Sequence, residues 1–581
     1  MNALKKTWWP TLTALSLAMM GTLAHADERA SLEALRQTTI GLIDALVEKG
    51  VLTREAADGM LKQAAPRAAA SATTPDVPKP ETTAAGKPVL RVPYVSDAMK
   101  AQIRNEVKEE VLTQARAERW GVPNATPSWV DRIKIDGDFR FRYQTDRPGK
   151  DNTLPSDYVA AEGTNQNGLS RAPDFASSVL QGDNSLTPTS STSDARERER
   201  IRLRLGVSAK VTDEVGVGVR LATGSATDRV STNQTLGQNF NKYQLFVDRA
   251  FIRLDPADWV TVQAGRIPNP WFSTDMVWSD NLNFDGLAAT GRWVSQGSAF
   301  SPFATLGWFP LREQTPPNRS SRWLIGAQVG TGWDVAARTK VKLGLAYYSY
   351  NNLEGKVDQN YVLGTNSSNQ AVVVTGPEYG QYEYPTGLRQ KGNTVFETNP
   401  TSVDTSPLWG LAYAFRPLVL TASAELTHFS PYSLLLSAEY VKNMAFDEAS
   451  FHRRAGAFFD NKSPGGKSTG YHFKLAFGSA EVREQGQWQL ATSYRHVGSD
   501  AVLDAFTDSD LGLGGTNLQG YTLGGSYGLY RNTSLGVRFL SAKTIDTPLN
   551  QAVVNIGGQT VDFGQAKYKV NSLQVDLNVR F

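Results

Sequence analysis

The sequence predicts an all-β transmembrane barrel of about 16 antiparallel strands, preceded by an N-terminal α-helical segment in the periplasm. Three observations carry that expectation. The chain ends in an unbroken alternation: Leu573, Val575, Leu577, Val579 and Phe581 share one face of a strand, and Gln574, Asp576, Asn578 and Arg580 share the other. The amino-terminus reads as an export signal. Between the two, short turns alternate with long polar loops, as in a barrel with one periplasmic and one external rim. A soluble sandwich also alternates, but it buries its apolar face against a second sheet, whereas a membrane barrel turns that face to lipid and wets the other.

Residues 1–26 read as a signal peptide: Lys5 and Lys6, an apolar stretch from Leu12 to Leu23, then Ala24-His25-Ala26, the small-x-small pattern of a cleavage site. The stretch is shorter than the roughly 20 residues of a spanning helix, so cleavage is expected over retention as an anchor. Across 27–65 the period is helical. Leu32, Leu35, Thr39, Leu42 and Leu46 form one seam, which suits either a coiled coil or a helical pair packed on itself. Residues 66–93, rich in Ala, Pro and Thr, read as a linker. Residues 94–130 then supply a further periplasmic helix, with Met99, Ile103, Val107 and Val111 on one face, and an entry segment to the barrel at 131–581.

From Ile133 the period becomes two. The first strand sets Ile133, Ile135, Phe139, Phe141 and Tyr143 against Lys134, Asp136, Asp138, Arg140 and Arg142. The second sets Ile201, Leu203, Leu205 and Val207 against Arg200, Arg202, Arg204 and Lys210, a row of cations that no dry core accepts. Sixteen strands are expected at 132–144, 198–211, 214–224, 244–254, 258–267, 285–295, 300–310, 322–332, 335–350, 407–427, 432–446, 468–481, 486–498, 518–529, 533–544 and 567–581. Trp259, Trp488 and Phe581 fall at one rim and Tyr143, Tyr440, Tyr471 and Tyr494 at the other, as two interfacial girdles require. Mean hydropathy is −0.35, which does not oppose a barrel, because the strand signal is weak segment by segment. The net charge of +3 falls to +1 without the two signal lysines (3 minus 2), and no basic tail suggests nucleic acid. The chain has no Cys, which removes thiol chemistry and Cys-containing zinc sites.

The prelude Tyr94 to Trp120, the first strand Ile133 to Tyr143, the run Asp248 to Leu254, the segment Ala264 to Trp271 with Phe284-Asp285-Gly286 downstream, and the terminal Phe581 resemble the bacterial putative-porin family of Gram-negative outer membranes, and more broadly the sixteen-stranded porins. The resemblance runs from about Tyr94 to the end. It implies a barrel placed among outer-membrane lipid and lipopolysaccharide by the barrel assembly machinery, and a homotrimer. It names no solute.

Taking each polar face as lumen assigns Lys134, Arg140, Arg142, Arg200, Arg202, Arg204, Lys210, Arg220, Arg249, Arg253, Lys342 and Arg538 to the pore lining, with Lys474, Arg495 and Arg580 on the same faces. The acids there are Asp136, Asp138, Glu439 and Asp576; Asp248 falls opposite Arg249 and Arg253, where the alternation is imperfect. A cationic wall predicts anion preference, and acids on loops folded inward would neutralise it to a weakly selective pore. The third outer loop, 267–284, is the constriction candidate because related porins fold that loop inward. Its Trp271, Asp275, Trp278 and Asp280 would set two acids against the basic wall, or the loop packs over the mouth instead.

No enzyme, metal or cofactor is expected. Gly524-Gly525-Ser526-Tyr527-Gly528 fits a nucleophile-elbow pattern but lies in mid-strand. His428, His452, His472 and His496 lack zinc-ligand spacing, and His472 and His496 are placed in the lumen or at the rim. Two functions remain: a water-filled channel for passive diffusion of small hydrophilic, preferentially anionic solutes, or a structural or adhesive barrel whose N-terminal helices tether the envelope by peptidoglycan contact.

Overall fold

Period-two alternation from Ile133 onward folds into sixteen antiparallel strands that close on themselves in the computed structural model, which describes residues 132–154, 168–172, 191–294, 297–313, 320–358, 361–365, 367–369, 371–376, 378–399, 407–547, 554–556, 559–561 and 565–581. The expected signal peptide (1–26), helical segments (27–65 and 94–130) and linker (66–93) lie outside the described residues. The barrel strands are β1 (Ile133–Pro148), β2 (Arg196–Lys210), β3 (Val215–Ala222), β4 (Phe246–Ala257), β5 (Val260–Pro268), β6 (Asn283–Arg292), β7 (Phe300–Arg312) and β8 (Arg322–Ala336). They continue with β9 (Thr339–Asn351), β10 (Pro417–Leu426), β11 (Ser433–Asn443), β12 (Thr469–Gly478), β13 (Trp488–Val497), β14 (Leu518–Tyr530), β15 (Thr533–Thr544) and β16 (Lys569–Arg580). Each pairs with its sequence neighbours, and β1 pairs with both β2 and β16, so no spanning edge remains open.

The two faces separate as the alternation demands. Ile135, Phe141, Val207, Ile252, Leu306, Val329, Leu345, Leu490 and Leu523 stand exposed on the outside, where a soluble protein could not leave a continuous apolar belt. Trp259 stacks on Trp293 and Phe300 on Trp333 at the short-turn rim, while Tyr471 and Tyr494 lie together near the other. The turns at 211–214, 258–259, 337–338 and 531–532 are tight; the opposite end carries the described residues of the segments 149–195, 352–416, 444–468, 498–517 and 545–568. One described helix, α1 (Glu448–Ala455), lies in such a loop, capped by Asp447, whose side chain accepts from the backbone N–H of Ala449 and Ser450.

Two strand expectations need correction. The tenth was expected from 407, but the barrel strand begins at Pro417; Trp409–Leu411 instead pairs with Val395–Glu397, itself paired with Leu169–Ser170. Its apolar residues find a core among the outer loops rather than lipid, with Leu411, Tyr413 and Phe415 all buried. The imperfect alternation around Asp248 is a β-bulge: Arg220 pairs with Arg249 while Leu221 pairs with Val247, so Asp248 is the extra residue. The bulge turns Asp248 inward, where its carboxylate meets Arg220 at 2.5 Å, correcting its expected place opposite Arg249.

Candidate functional site

The inner faces of β1 and β2 stack charged residues in register. Asp138 lies opposite Arg204, Arg140 opposite Arg202, Arg142 opposite Arg200, Gln144 opposite Arg198 and Asp146 opposite Arg196. Same-face neighbours on a strand are about 7 Å apart, so five alternating arginines on β2 form a ladder. Unscreened, that row would repel itself, and carboxylates are set against most of it. Asp138 takes Arg202 and Arg204, each at 2.6 Å; Asp146 takes Arg198 at 2.7 Å; Asp576 takes Arg142 at 2.6 Å. Arg253 pairs with Asp255 at 2.8 Å. Arg140 donates to Asn233 and lies 3.8 Å from Asp576. Arg196, Arg200 and Arg249 differ, having no carboxylate within 4.0 Å among the described residues: Arg196 is exposed at the loop end of β2, Arg200 reaches Gln144 Oε1 at 3.4 Å, and Arg249 Nε donates to Asn283 Oδ1 at 2.7 Å. Lys134 and Lys210 are exposed near the short-turn rim.

The loop after β5 lies against this interior. The Phe272 N–H donates to Gln328 Oε1 and Gln328 Nε2 donates back to the Phe272 carbonyl, fixing the loop to β8. Thr274 donates through its backbone N–H and hydroxyl to Glu439 on β11. Asp275 pairs with Arg495 on β13 at 2.7 Å and lies 3.4 Å from His472 on β12. Burial opposes that charge, but Arg495 and then His472 hold the Asp275 carboxyl down at about 2. Asp280 does not join Asp275 in a salt bridge with the wall; burial and the Asp275 charge raise its pKa.

The two tryptophans expected at the constriction are packed into the barrel wall, Trp271 also lining a cavity beneath the loop. Trp271 packs edge-on against Tyr348 and Phe309, and Trp278 against Tyr348 and Phe284, and both are buried. An apolar inner patch on β6 to β9 receives them. Gly307 and Gly326 lie opposite each other there, and a Cβ on Gly326 would come within 2.6 Å of the Trp271 ring.

Sequence reasoning missed a second inward segment, 498–517. Asp510 reaches the ladder, 3.2 Å from Arg142 and 2.6 Å from Arg538. Those two guanidiniums overcome burial and hold Asp510 well below the usual carboxylate range. The Asp508 N–H donates to the Asp275 carbonyl and the Ser279 N–H to the Phe506 carbonyl, so the two loops join. The chain of contacts therefore crosses from Arg142 to Arg495 through Asp510, Asp508 and Asp275. Two cavities flank it: one of about 690 Å³ beside Arg196, Arg198, Arg200 and Lys391, and one of about 420 Å³ beneath Trp271 and Phe272.

The remaining histidines and the serine motif fall into place around this. His472 is buried on the inner face, its Nδ1 3.1 Å from the Thr274 hydroxyl, while His496 stacks on Tyr471 at the outer face near the rim. Ser526 lies within β14, with no strand-to-helix elbow around it.

A family model described as "Putative porin" matches residues 36–581. Among solved structures, the outer membrane channel DcaP of Acinetobacter baumannii is 10% identical, with 77% of this chain and 97% of that chain covered at a TM-score of 0.36. An anion-selective porin from Comamonas acidovorans is 13% identical over 77% of this chain and 99% of that chain, at 0.36. Pseudomonas putida OprB is 10% identical over 77% and 95%, at 0.37. A search of curated proteins finds no match.

Proposed function

The chain belongs to the putative-porin family, and from that premise we propose that it is a passive-diffusion channel of the outer membrane that prefers small hydrophilic anions and, as the resemblance implies, assembles as a homotrimer. One observation carries the anion preference. Among the inward arginines of β1 to β4, Arg200 and Arg249 lack a carboxylate partner among the described residues, as does the exposed Arg196 at the end of β2, while their neighbours are compensated by Asp138, Asp146, Asp248 and Asp576. The cationic wall expected from the strand faces is read here as a largely neutralised ladder with two interior positive steps, Arg200 and Arg249, and a third at the exposed Arg196. A unit anion about 7 Å from one such guanidinium gains roughly 0.6 kcal/mol in bulk-like water and about 2 kcal/mol at an effective dielectric of 20, enough for a several-fold preference. Arg suits the task because it stays charged at any working pH and presents its donors in a fixed fork.

The test is the reversal potential of single channels in a planar bilayer under a potassium chloride gradient. Wild-type protein should give the sign of anion preference, and Arg200→Glu with Arg249→Glu should move the potential toward cations. A cation-preferring wild type, or a double variant with an unmoved potential, would sink the assignment. Absence of conductance would favour the structural or adhesive barrel.

A further inference from the structure

The 420 Å³ cavity beneath the third loop has a chemistry unlike the ladder. None of the residues lining it is acidic. It holds two cations, Lys342 from β9 and Arg292 from β6, and neither has a carboxylate within 4.0 Å among the described residues. Three aromatic side chains wall it: Trp271 and Phe272 from the loop and Phe303 from β7. The Lys342 ammonium sits over two of the rings, 4.2 Å from the Phe272 centroid and 4.9 Å from the Phe303 centroid. The rings meet edge to face, with centroids 6.4 Å apart. On the same wall the Thr290 and Thr305 hydroxyls lie 3.1 Å apart and offer further polar contacts. The paired bonds between Gln328 and Phe272 hold the loop in place, so the rings are positioned in advance.

A hydrated inorganic anion would use the cations and gain nothing from the rings. A neutral aromatic would use the rings and leave the cations idle. The combination fits a flat apolar group bearing one negative charge, and the volume falls within the range that small organic ligands occupy. We propose that this cavity is a binding station for small aryl carboxylates, whose carboxylate accepts from Lys342 and Arg292 while the ring lies against Phe272, Phe303 and Trp271. The proposal rests on the channel reading only for how such a solute arrives.

Saturation-transfer NMR on folded, micelle-bound full-length chain tests it with benzoate, acetate and benzyl alcohol as probes, alongside conductance measured on the same preparation. Benzoate should give a saturable signal that neither acetate nor benzyl alcohol matches. Lys342→Gln should weaken benzoate about ten-fold, a typical worth for a charge-assisted contact, and Lys342→Arg should retain most of it. Phe272→Ala should weaken benzoate while leaving acetate unchanged, a readout that distinguishes ring recognition from loss of fold. Benzoate no better than acetate, or no better than benzyl alcohol, overturns the proposal, as does an unaltered benzoate signal in folded Lys342→Gln. A conducting protein with no benzoate preference defeats this pocket and leaves the channel standing. A non-conducting protein that still binds benzoate does the reverse.

Discussion

Asp508, in the inward segment 498–517, is a carboxyl whose charge is open to change near neutral pH. Burial first, and the Asp510 carboxylate second, push its pKa up to about 7, with Asp275 adding to the effect and Arg495 and Arg538 opposing it. Asp510 cannot share the change, because Arg142 and Arg538 keep it ionised. A carboxyl whose folded pKa exceeds its ordinary value stabilises the packed loop in its protonated form; that contribution is complete below the ordinary value of 3.8 and is lost as pH rises through about 7. The same ionisation adds a negative charge to the bridge between the two loops. Anion preference, read as a reversal potential, should therefore fall between about pH 6 and pH 8 in wild-type protein, a window set by the raised carboxyl. Asp508→Asn should give a flat profile over that window. A flat wild-type profile, or a slope that survives in the variant, would assign the titration to another group.

At the scale of elements, the third loop is seated by shape as much as by charge. Trp271 enters the space left by two glycines facing each other across β7 and β8, and a side chain on Gly326 would also meet Tyr348 at 2.9 Å. Gly326→Val should expel the indole, at a cost of about 1–3 kcal/mol of the kind overpacking brings. The loop should then be held mainly by Thr274–Glu439 and Asp275–Arg495. Single-channel conductance should rise and tryptophan emission shift to the red in a barrel that still folds; unchanged values in both would show that Trp271 does not set the loop. The sequence displays the strands far better than this seating. Alternation is a local property, so Ile133 onward could be read two residues at a time, and Arg196 and Arg198 were in reach because they continue the same period. The docking of Asp510 on Arg142 joins residues 368 apart, and no period reports that. The bulge at Asp248 appears in sequence only as a flaw in alternation, since one inserted residue carries no signature of its own.

For the molecule as a whole, closure is the property on which the rest depends, and β16 supplies it. Eleven of its residues stand in register with β1 from Asp138 to Pro148, and eleven with β15 from Thr533 to Lys543. Beyond the strand, Phe581 exchanges two backbone hydrogen bonds with Gly137, at 2.9 and 3.1 Å, and its ring covers that glycine. Removing residues 569–581 would expose the facing edges of β1 and β15 to hydrocarbon, where each unpaired amide or carbonyl costs several kcal/mol. It would also take away Asp576 and leave the fully buried Arg142 with Asp510 as its remaining carboxylate. Phe581→Ala is a milder change, because the backbone bonds to Gly137 persist without the ring. On refolding into micelles, the chain truncated after Tyr568 should give no compact, heat-modifiable species on cold electrophoresis, whereas Phe581→Ala should give one. A compact truncated chain would mean that fifteen strands can seal the wall by re-pairing β1 with β15, and the in-register contacts of β16 would then not be what closes it.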